Sequence, residues 1–283
     1  MKTRILTAAA LTFAVATAFA ASKDFDRTLN VSAAPTVSIS TGSGYIHLNP
    51  GSGNQVHVVG HVHASNSWFS SNSDARVQQI AANPPIVQSG NNITIGENLP
   101  HELFQNISID YDVTLPQNSS IRARTGSGDV EIHGVGSTLK AESGSGTIRA
   151  EGIHGPADLQ TGSGDIELHQ TAGGDVRAQT GSGSIHLSGL SGGLKAGTGS
   201  GDIEADGQPT ADWKLDTGSG SIQLVLGPSA RFTLSASTGS GSVHTAQPIA
   251  MQGQINPHHV NGTVNGGGPT IRANTGSGDI DIK

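Results

Sequence analysis

Cysteine is absent from all 283 residues. Neither a disulfide framework nor a thiolate-held metal site is therefore open to this chain. Aromatic residues are scarce too, with two Trp, two Tyr and six Phe. That excludes a core filled by large rings and argues against the ring-lined clefts common in sugar-active enzymes. Beyond residue 20 no apolar run is long enough to cross a bilayer, and the alternating, aromatic-girdled strands of an outer-membrane barrel are missing. Positive charge is also in deficit, 15 Lys and Arg against 22 Asp and Glu for a net −7. This balance disfavours nucleic acid as the main partner.

What is present in excess is glycine, 40 residues, much of it in one recurring tetrad. Thr-Gly-Ser-Gly begins at 41, 125, 161, 180, 198, 217, 238 and 275, and Ser-Gly-Ser-Gly at 143. From 125 onward the spacings are 18, 18, 19, 18, 19, 21 and 37 residues. A fixed period near twenty marks a solenoid, and the doubled last interval points to a degenerate coil near 259–266. Each tetrad is followed by an alternating run whose second residue is β-branched, among them Val130, Ile148, Ile166, Ile185, Ile203 and Ile222. It is preceded by a second alternating run such as "SIRAR", "TLKAE" or "DVRAQ". A period of two with apolar alternation means strands with one buried face. The expected fold is therefore all-β: a single-stranded β-solenoid with coils of about 18–19 residues, the right-handed form favoured. Large inward residues are paired with Ala two places on (Leu139/Ala141, Val176/Ala178, Ile271/Ala273), and Ala157/Leu159 reverses the order while conserving volume. Stacking this register brings Ile166, Ile185 and Ile203 into one internal file.

The tetrad resembles a ligand-cradling loop but lacks its context. Phosphate cradles open a helix, whereas here a strand follows every copy. The expectation is a corner, with glycines supplying positive φ and hydroxyls satisfying turn amides.

Three regions are expected. Residues 1–20 carry Lys2 and Arg4, a short apolar run and Ala18-Phe19-Ala20, the pattern of a secretory signal peptide. Residues 21–120 read as an N-terminal capping segment that includes the first strands. Within it "SDARVQQIAA" forms a short helix capped by Ser73 and Gly90-Asn91 turns a hairpin. Residues 121–283 are the repeat region, with no comparable cap at the far end, where Asp279 and Asp281 would discourage end-to-end stacking.

Two surface columns follow from the register. Behind the tetrad, acidic and non-acidic residues alternate from coil to coil: Glu131, Arg149, Glu167, His186, Glu204, Gln223. Alternation keeps like charges from stacking directly. Ahead of the tetrad runs a basic column, Arg122, Lys140, Arg177, Lys195, Lys214 and Arg272, interrupted by Asp158 and Ser235. Loss of residues 1–20 would leave 13 basic residues (15 less Lys2 and Arg4), and six of them fall at this one position of the repeat. The column reads either as a solvated face whose aliphatic stems cover the strand or as a track for an anionic glycan, lipopolysaccharide or another envelope component.

Other chemistry is thin. A calcium ladder on the post-tetrad Asp column lacks Asp in alternate coils. His57, His61 and His63 share one strand face without a metal-binding spacing beyond His-x-His. Gly189-Leu190-Ser191-Gly192-Gly193 has the letters of a nucleophile elbow but no helix after it. No catalytic residue, metal ligand or cofactor is assigned.

The unit "TGSGDIEL" (161–168), the linkage "GDVRAQTGSGSI" (174–185) and the signal-like start resemble a bacterial adhesin-like family, a domain family of unknown function built of β-strand repeats. They are also similar to the head domain associated with autotransporter adhesins. The resemblance spans roughly residues 35–283 and implies an exported β-solenoid without established catalytic residues; the departure from it is the absence of a translocator barrel or anchoring motif. The combined expectation is a non-enzymatic protein, periplasmic, secreted or at the cell surface, that binds through flat strand faces. A carbohydrate-active β-helix enzyme, a calcium-binding repeat protein and a Thr/Ser array facing ice or mineral are the alternatives.

Overall fold

The computed structural model describes residues 22–64, 73–97, 100–251 and 256–283; the expected signal peptide lies outside them. Its organising unit is the tetrad turn. The fourth glycine of each copy is packed so closely that an added Cβ would meet the backbone of the next rung: Gly128 against Gly44 O at 1.9 Å, Gly164 against Gly146 O at 2.0 Å, Gly201 against Gly183 O at 2.0 Å. Only Gly241 and Gly278 among the tetrad glycines have positive φ, 152° and 147°. The expected reason for glycine is thereby corrected. Bare backbone is required because turns lie directly on turns, not because the turn itself is left-handed. The leading hydroxyl is buried and ties rung to rung: Thr161 Oγ1 donates to Gly146 O at 2.9 Å and accepts from Gly164 N at 3.2 Å.

Strands before each tetrad form a leading sheet and strands after it a trailing sheet. The N-terminal region contributes β1 (Ser22–Asn30), β2 (Thr36–Thr41), β3 (Ile46–Pro50), β4 (Gln55–Ala64), α1 (Ser73–Ala82), β5 (Ile86–Ser89), β6 (Asn92–Ile95), α2 (His101–Phe104) and β7 (Ile107–Leu115). The regular coils follow as β8 (Ser120–Thr125), β9 (Val130–His133), β10 (Thr138–Ser143), β11 (Ile148–Ile153), β12 (Ala157–Thr161), β13 (Ile166–Gln170) and β14 (Val176–Thr180). In β15 (Ile185–Thr198) and β16 (Ile203–Ser219) the chain passes from trailing to leading sheet without losing strand geometry. Then come β17 (Ile222–Leu226), β18 (Phe232–Ser240), β19 (Val243–Thr245), β20 (Ile249–Met251), β21 (His259–Val264), β22 (Thr270–Ser277) and β23 (Ile280–Ile282).

Ladders between coils are parallel and in register, so like positions superpose. Ile166 pairs with Ile185 and Ile185 with Ile203, all at most 1% exposed. The expected internal file is there, and the fold is a β-solenoid. The reversed pair has a packing reason: Leu139 sits beside Ala157 and Ala141 beside Leu159, so large meets small between rungs. Val135, Ile153 and Leu190 are buried at the third corner.

Chain order is not stack order, which the repeat spacing alone did not foresee. The last coil, β22–β23, lies between β16–β17 and β18–β19. At the other end β2–β3 lies between β6–β7 and β8–β9. Residues on both sides of position 120 thus share one stack. The charge pattern explains the late insertion. Along the stack the residue after the tetrad runs Asp129, Thr147, Asp165, Ser184, Asp202, Ser221, Asp279, Ser242. Each Asp Oδ1 accepts the next rung's amide, at 2.8 Å for Asp129 from Thr147 N, 2.7 Å for Asp202 from Ser221 N and 2.8 Å for Asp279 from Ser242 N. Direct contact of rungs 221 and 242 would set two serines together and forfeit that bond; inserting Asp279 restores the alternation. Asp279 and Asp281 are therefore interior, not terminal guards.

Antiparallel strands close both sheets at the N-terminal end and the leading sheet at the far end, where the trailing sheet stops at parallel β19. The trailing sheet ends in β4 against β7 and β1 against β4, with α1 packed on both. The leading sheet ends in β5 at one extreme and in β21 and β20 at the other. The 259–266 segment is accordingly a cap of the far end, not a degenerate parallel coil. Antiparallel pairing breaks the register that would let another stack continue the sheet.

Candidate functional site

The two sheets present different chemistry on their outer faces. On the trailing sheet the column two residues past the Asp/Ser position runs, in stack order, Asp112, His47, Glu131, Arg149, Glu167, His186, Glu204, Gln223, Asp281 and His244. Acidic and non-acidic groups alternate throughout. Arg149 lies between two glutamates, Nη1 at 3.7 Å from Glu131 and Nε at 2.7 Å from Glu167. The hydrogen bond with Arg149 holds the Glu167 carboxyl below the usual range, and the same contact raises the guanidinium. His186 Nδ1 is 3.4 Å from Glu204, whose other oxygen accepts from Gln223 at 3.2 Å. From Asp112 to Gln223 this face is a ladder of paired groups.

Near the N-terminal end the ladder widens into a His/Asp cluster. His57 meets Asp26 at 2.8 Å, His61 meets Asp24 at 2.9 Å and Asp112 at 3.2 Å, and His63 meets Asp110 at 3.3 Å. Tyr45 stacks on His47, and burial followed by the nearby Asp112 and Asp110 pushes its hydroxyl up to about 12. The hydrogen bond to Asp24 raises His61. The three histidines share a strand face as expected, and each is taken by an aspartate. Among the described residues no group of three or more His, Asp or Glu has the geometry to hold a metal. The aspartates escaped sequence reading. Their signal was Asp-x-Asp at 24–26 and 110–112, matching the period of His61-x-His63, but β1 and β7 had to be known as neighbours of β4.

On the leading sheet the basic column lies at one register position and is interrupted at one rung. Arg122 pairs with Lys140, Lys140 with Asp158 and Asp158 with Arg177. Then Arg177, Lys195, Lys214 and Arg272 occupy four consecutive rungs. Sequence order separates Arg272 from Lys214 by Ser235; the inserted last coil removes that interruption and places Ser235 beyond Arg272. Some members have partners. Lys140 Nζ is 2.9 Å from Glu142, Arg177 Nη2 donates to Gln179 Oε1 at 2.7 Å, and Lys214 Nζ is 3.0 Å from Asp216. The hydrogen bond from Lys140 lowers the Glu142 carboxyl. Among the described residues Arg122, Lys195 and Arg272 have no ion pair and no side-chain hydrogen bond. A groove of about 830 Å³ runs over this face, lined by Arg122, Lys140, Arg177 and Lys195 with Glu97 and Asp158 among them.

The nucleophile-elbow letters fall within β15, where Ser191 O accepts from Gly174 N at 2.9 Å and more strand follows. The post-tetrad Asp column spends one oxygen of each carboxylate on the next rung's amide. No helix among the described residues is long and apolar enough to cross a membrane.

Comparison with known proteins places this architecture. No curated protein matches the chain. Solved structures similar to it include two of adhesin-like proteins. One is titled "putative cell adhesion protein" from Clostridium sporogenes, 14% identical, covering 93% of this chain and 99% of that one with a TM-score of 0.30. The other is titled "putative adhesin" from Bacteroides fragilis, 14% identical, covering 92% and 97% with a TM-score of 0.38. The family model described as Toastrack DUF4097 matches residues 70–283, three quarters of the sequence, and the chain belongs to that family.

Proposed function

We propose that this protein is an exported, non-enzymatic, adhesin-like β-solenoid that binds an anionic component of the cell envelope through its leading sheet. The observation that carries the reading is the contrast between faces. The trailing column pairs its cations with carboxylates, whereas the leading column stacks four cations on successive rungs and leaves two of them without a partner. Stacked strands lie about 4.8 Å apart, and like charges directly opposite one another are destabilising. A fold that avoids this on one face and accepts it on the other, with carboxylates beside Arg177 and Lys214 but none beside Lys195 and Arg272, breaks a local rule, which is where function is expected. A purely solvated face would have no need to concentrate cations at one position.

Export accounts for the signal-like residues 1–20 and for a framework that needs no thiol. The test joins location to binding. Cells are fractionated and surface-proteolysed to follow the protein, and the chain from residue 21 is screened against anionic glycans and lipids. The double variant Lys195→Glu/Lys214→Glu is expected to lose polyanion binding while keeping the β spectrum. Unchanged binding by that variant would remove the stripe from the proposal.

A further inference from the structure

Resting on that reading, the geometry of one rung narrows the ligand. Each leading strand points three residues outward, and most rungs fill these positions: Asp175, Arg177 and Gln179 on one, Asp212, Lys214 and Asp216 two rungs on. Between them the outward residues are Gly193, Lys195 and Gly197. Lys195 is the only outward side chain of its rung; Asp175 of the rung before covers the Gly193 side, its Oδ1 accepting from Gly193 N at 2.8 Å, and the Gly197 side is open.

The backbone does not demand this bareness at 197. Neither Gly193 nor Gly197 has a positive φ. A Cβ on Gly197 would find nothing nearer than Asp216 O at 3.7 Å, ordinary contact. Tetrad glycines, by contrast, would collide at 1.9–2.2 Å at the fourth position. Packing therefore explains the tetrad glycines and leaves Gly197 unexplained. The next cation without a partner, Arg272, lies two rungs away on the same column, and its neighbour Asn274 donates to Asp216 Oδ1 at 2.9 Å. The other Asp216 oxygen lies 3.0 Å from Lys214 Nζ.

We infer that Arg177, Lys195, Lys214 and Arg272 form a binding track for a linear acidic polysaccharide lying along the stack axis, seated in the notch that Gly197 leaves beside Lys195. Four rungs span about 14 Å at the spacing of parallel strands, and an extended polyuronate advances by one sugar unit at close to this rung spacing. Such a chain can follow the column without bending, with the carboxylates on its wall side meeting the cations. An anionic membrane would present its charges in two dimensions and would gain nothing from a notch one rung wide. The track exists only after the C-terminal coil has inserted, since Arg272 comes from β22.

The experiment is calorimetric titration of the full chain with galacturonate oligomers of increasing length, with monomeric galacturonate and phosphatidylglycerol vesicles as separate probes. Affinity is expected to climb with each unit up to about four and to gain little beyond. Gly197→Gln, which alters no charge, and Arg272→Gln should each weaken the tetramer by about threefold to fivefold, the range of a partly exposed ionic contact. Arg149→Gln, on the trailing face, should leave it unchanged. Circular dichroism and melting of each variant separate lost binding from lost fold. If oligomers bind and respond to Lys195→Glu/Lys214→Glu but not to Gly197→Gln or Arg272→Gln, the track is overturned while the stripe as an anion site stands. If only vesicles bind, the polysaccharide is overturned. If no anionic probe binds and Lys195→Glu/Lys214→Glu changes nothing, both readings fall together.

Discussion

The leading and trailing sheets are built from the same repeat, share every turn and bury the same kind of file, yet their outer faces obey opposite electrostatic rules. On the trailing face acidic and non-acidic groups alternate for ten positions, from Asp112 to His244. On the leading face Arg122 and Lys140 already stack like on like, and beyond Asp158 four cations follow in succession. Parallel in-register stacking amplifies any repeated charge, because the same position recurs at every rung. A solenoid must therefore spend sequence on alternation wherever the surface is only a surface. The difference teaches that charge placement on this scaffold is a choice made face by face and is not imposed by the coil.

The comparison breaks most completely if the coil common to both faces is lost. Truncation before Thr270 removes β22 and β23, so Lys214 loses Arg272 on one face and Gln223 loses Asp281 on the other. Hydrogen exchange should then show the amides of 213–245 losing protection while those of 130–187 keep it. Next in size is Gly164→Ala at a shared turn. Its Cβ would lie 2.0 Å from Gly146 O, so a cost of about 3 kcal/mol, at the upper end of overpacking, should appear in denaturant unfolding. Gly197→Ala, with no contact under 3.7 Å, should stay within about 0.5 kcal/mol of wild type.

Neutralising one charge on each face should have opposite signs. Glu167→Gln opens the trailing ladder beside Arg149 and should destabilise by up to about 1 kcal/mol, since the pair is partly exposed. Lys195→Gln relieves repulsion between Arg177 and Lys214 and should be neutral or stabilise by a few tenths of a kcal/mol. The same pairing gives a pH signature. Hydrogen bonding to Arg149 lowers Glu167, so its contribution is present above the ordinary carboxylate value. That contribution disappears as pH falls through the depressed one. Glu167→Gln should accordingly flatten the acid limb of a melting-temperature profile. The smallest effect belongs to β1. The Asp24 hydrogen bond raises His61, so this contact stabilises below about 6.5 and fades as pH rises through the raised value. Proton NMR of Asp24→Asn should find the His61 titration moved to lower pH.

Much of the architecture was legible from spacing. The tetrad period named the coil, β-branched residues after each tetrad named the internal file, and α1 and the Gly90 hairpin fell where local signals put them. The cation column was legible for the same reason, because identical spacing means identical height on the wall. What escaped were relations between segments far apart in sequence. The partners of His57 and His61 lie on β1, joined by an antiparallel ladder whose register no local pattern encodes. Reading coils in chain order also put Asp279 and Asp281 at an exposed end, when they lie one rung inside. The clue was present as a broken Asp/Ser alternation between 221 and 242, but it had meaning only once the stack was assembled.

The amino-acid sequence by itself determined the coil, its two strand faces and the height of every residue along a rung, because side-chain direction in a strand and closure at a glycine turn are local properties. Tertiary structure alone decided the order of the rungs. Order depends on which coil supplies the hydrogen bonds and charges its neighbours lack, and that complementarity drew the last coil inward and set Arg272 beside Lys214.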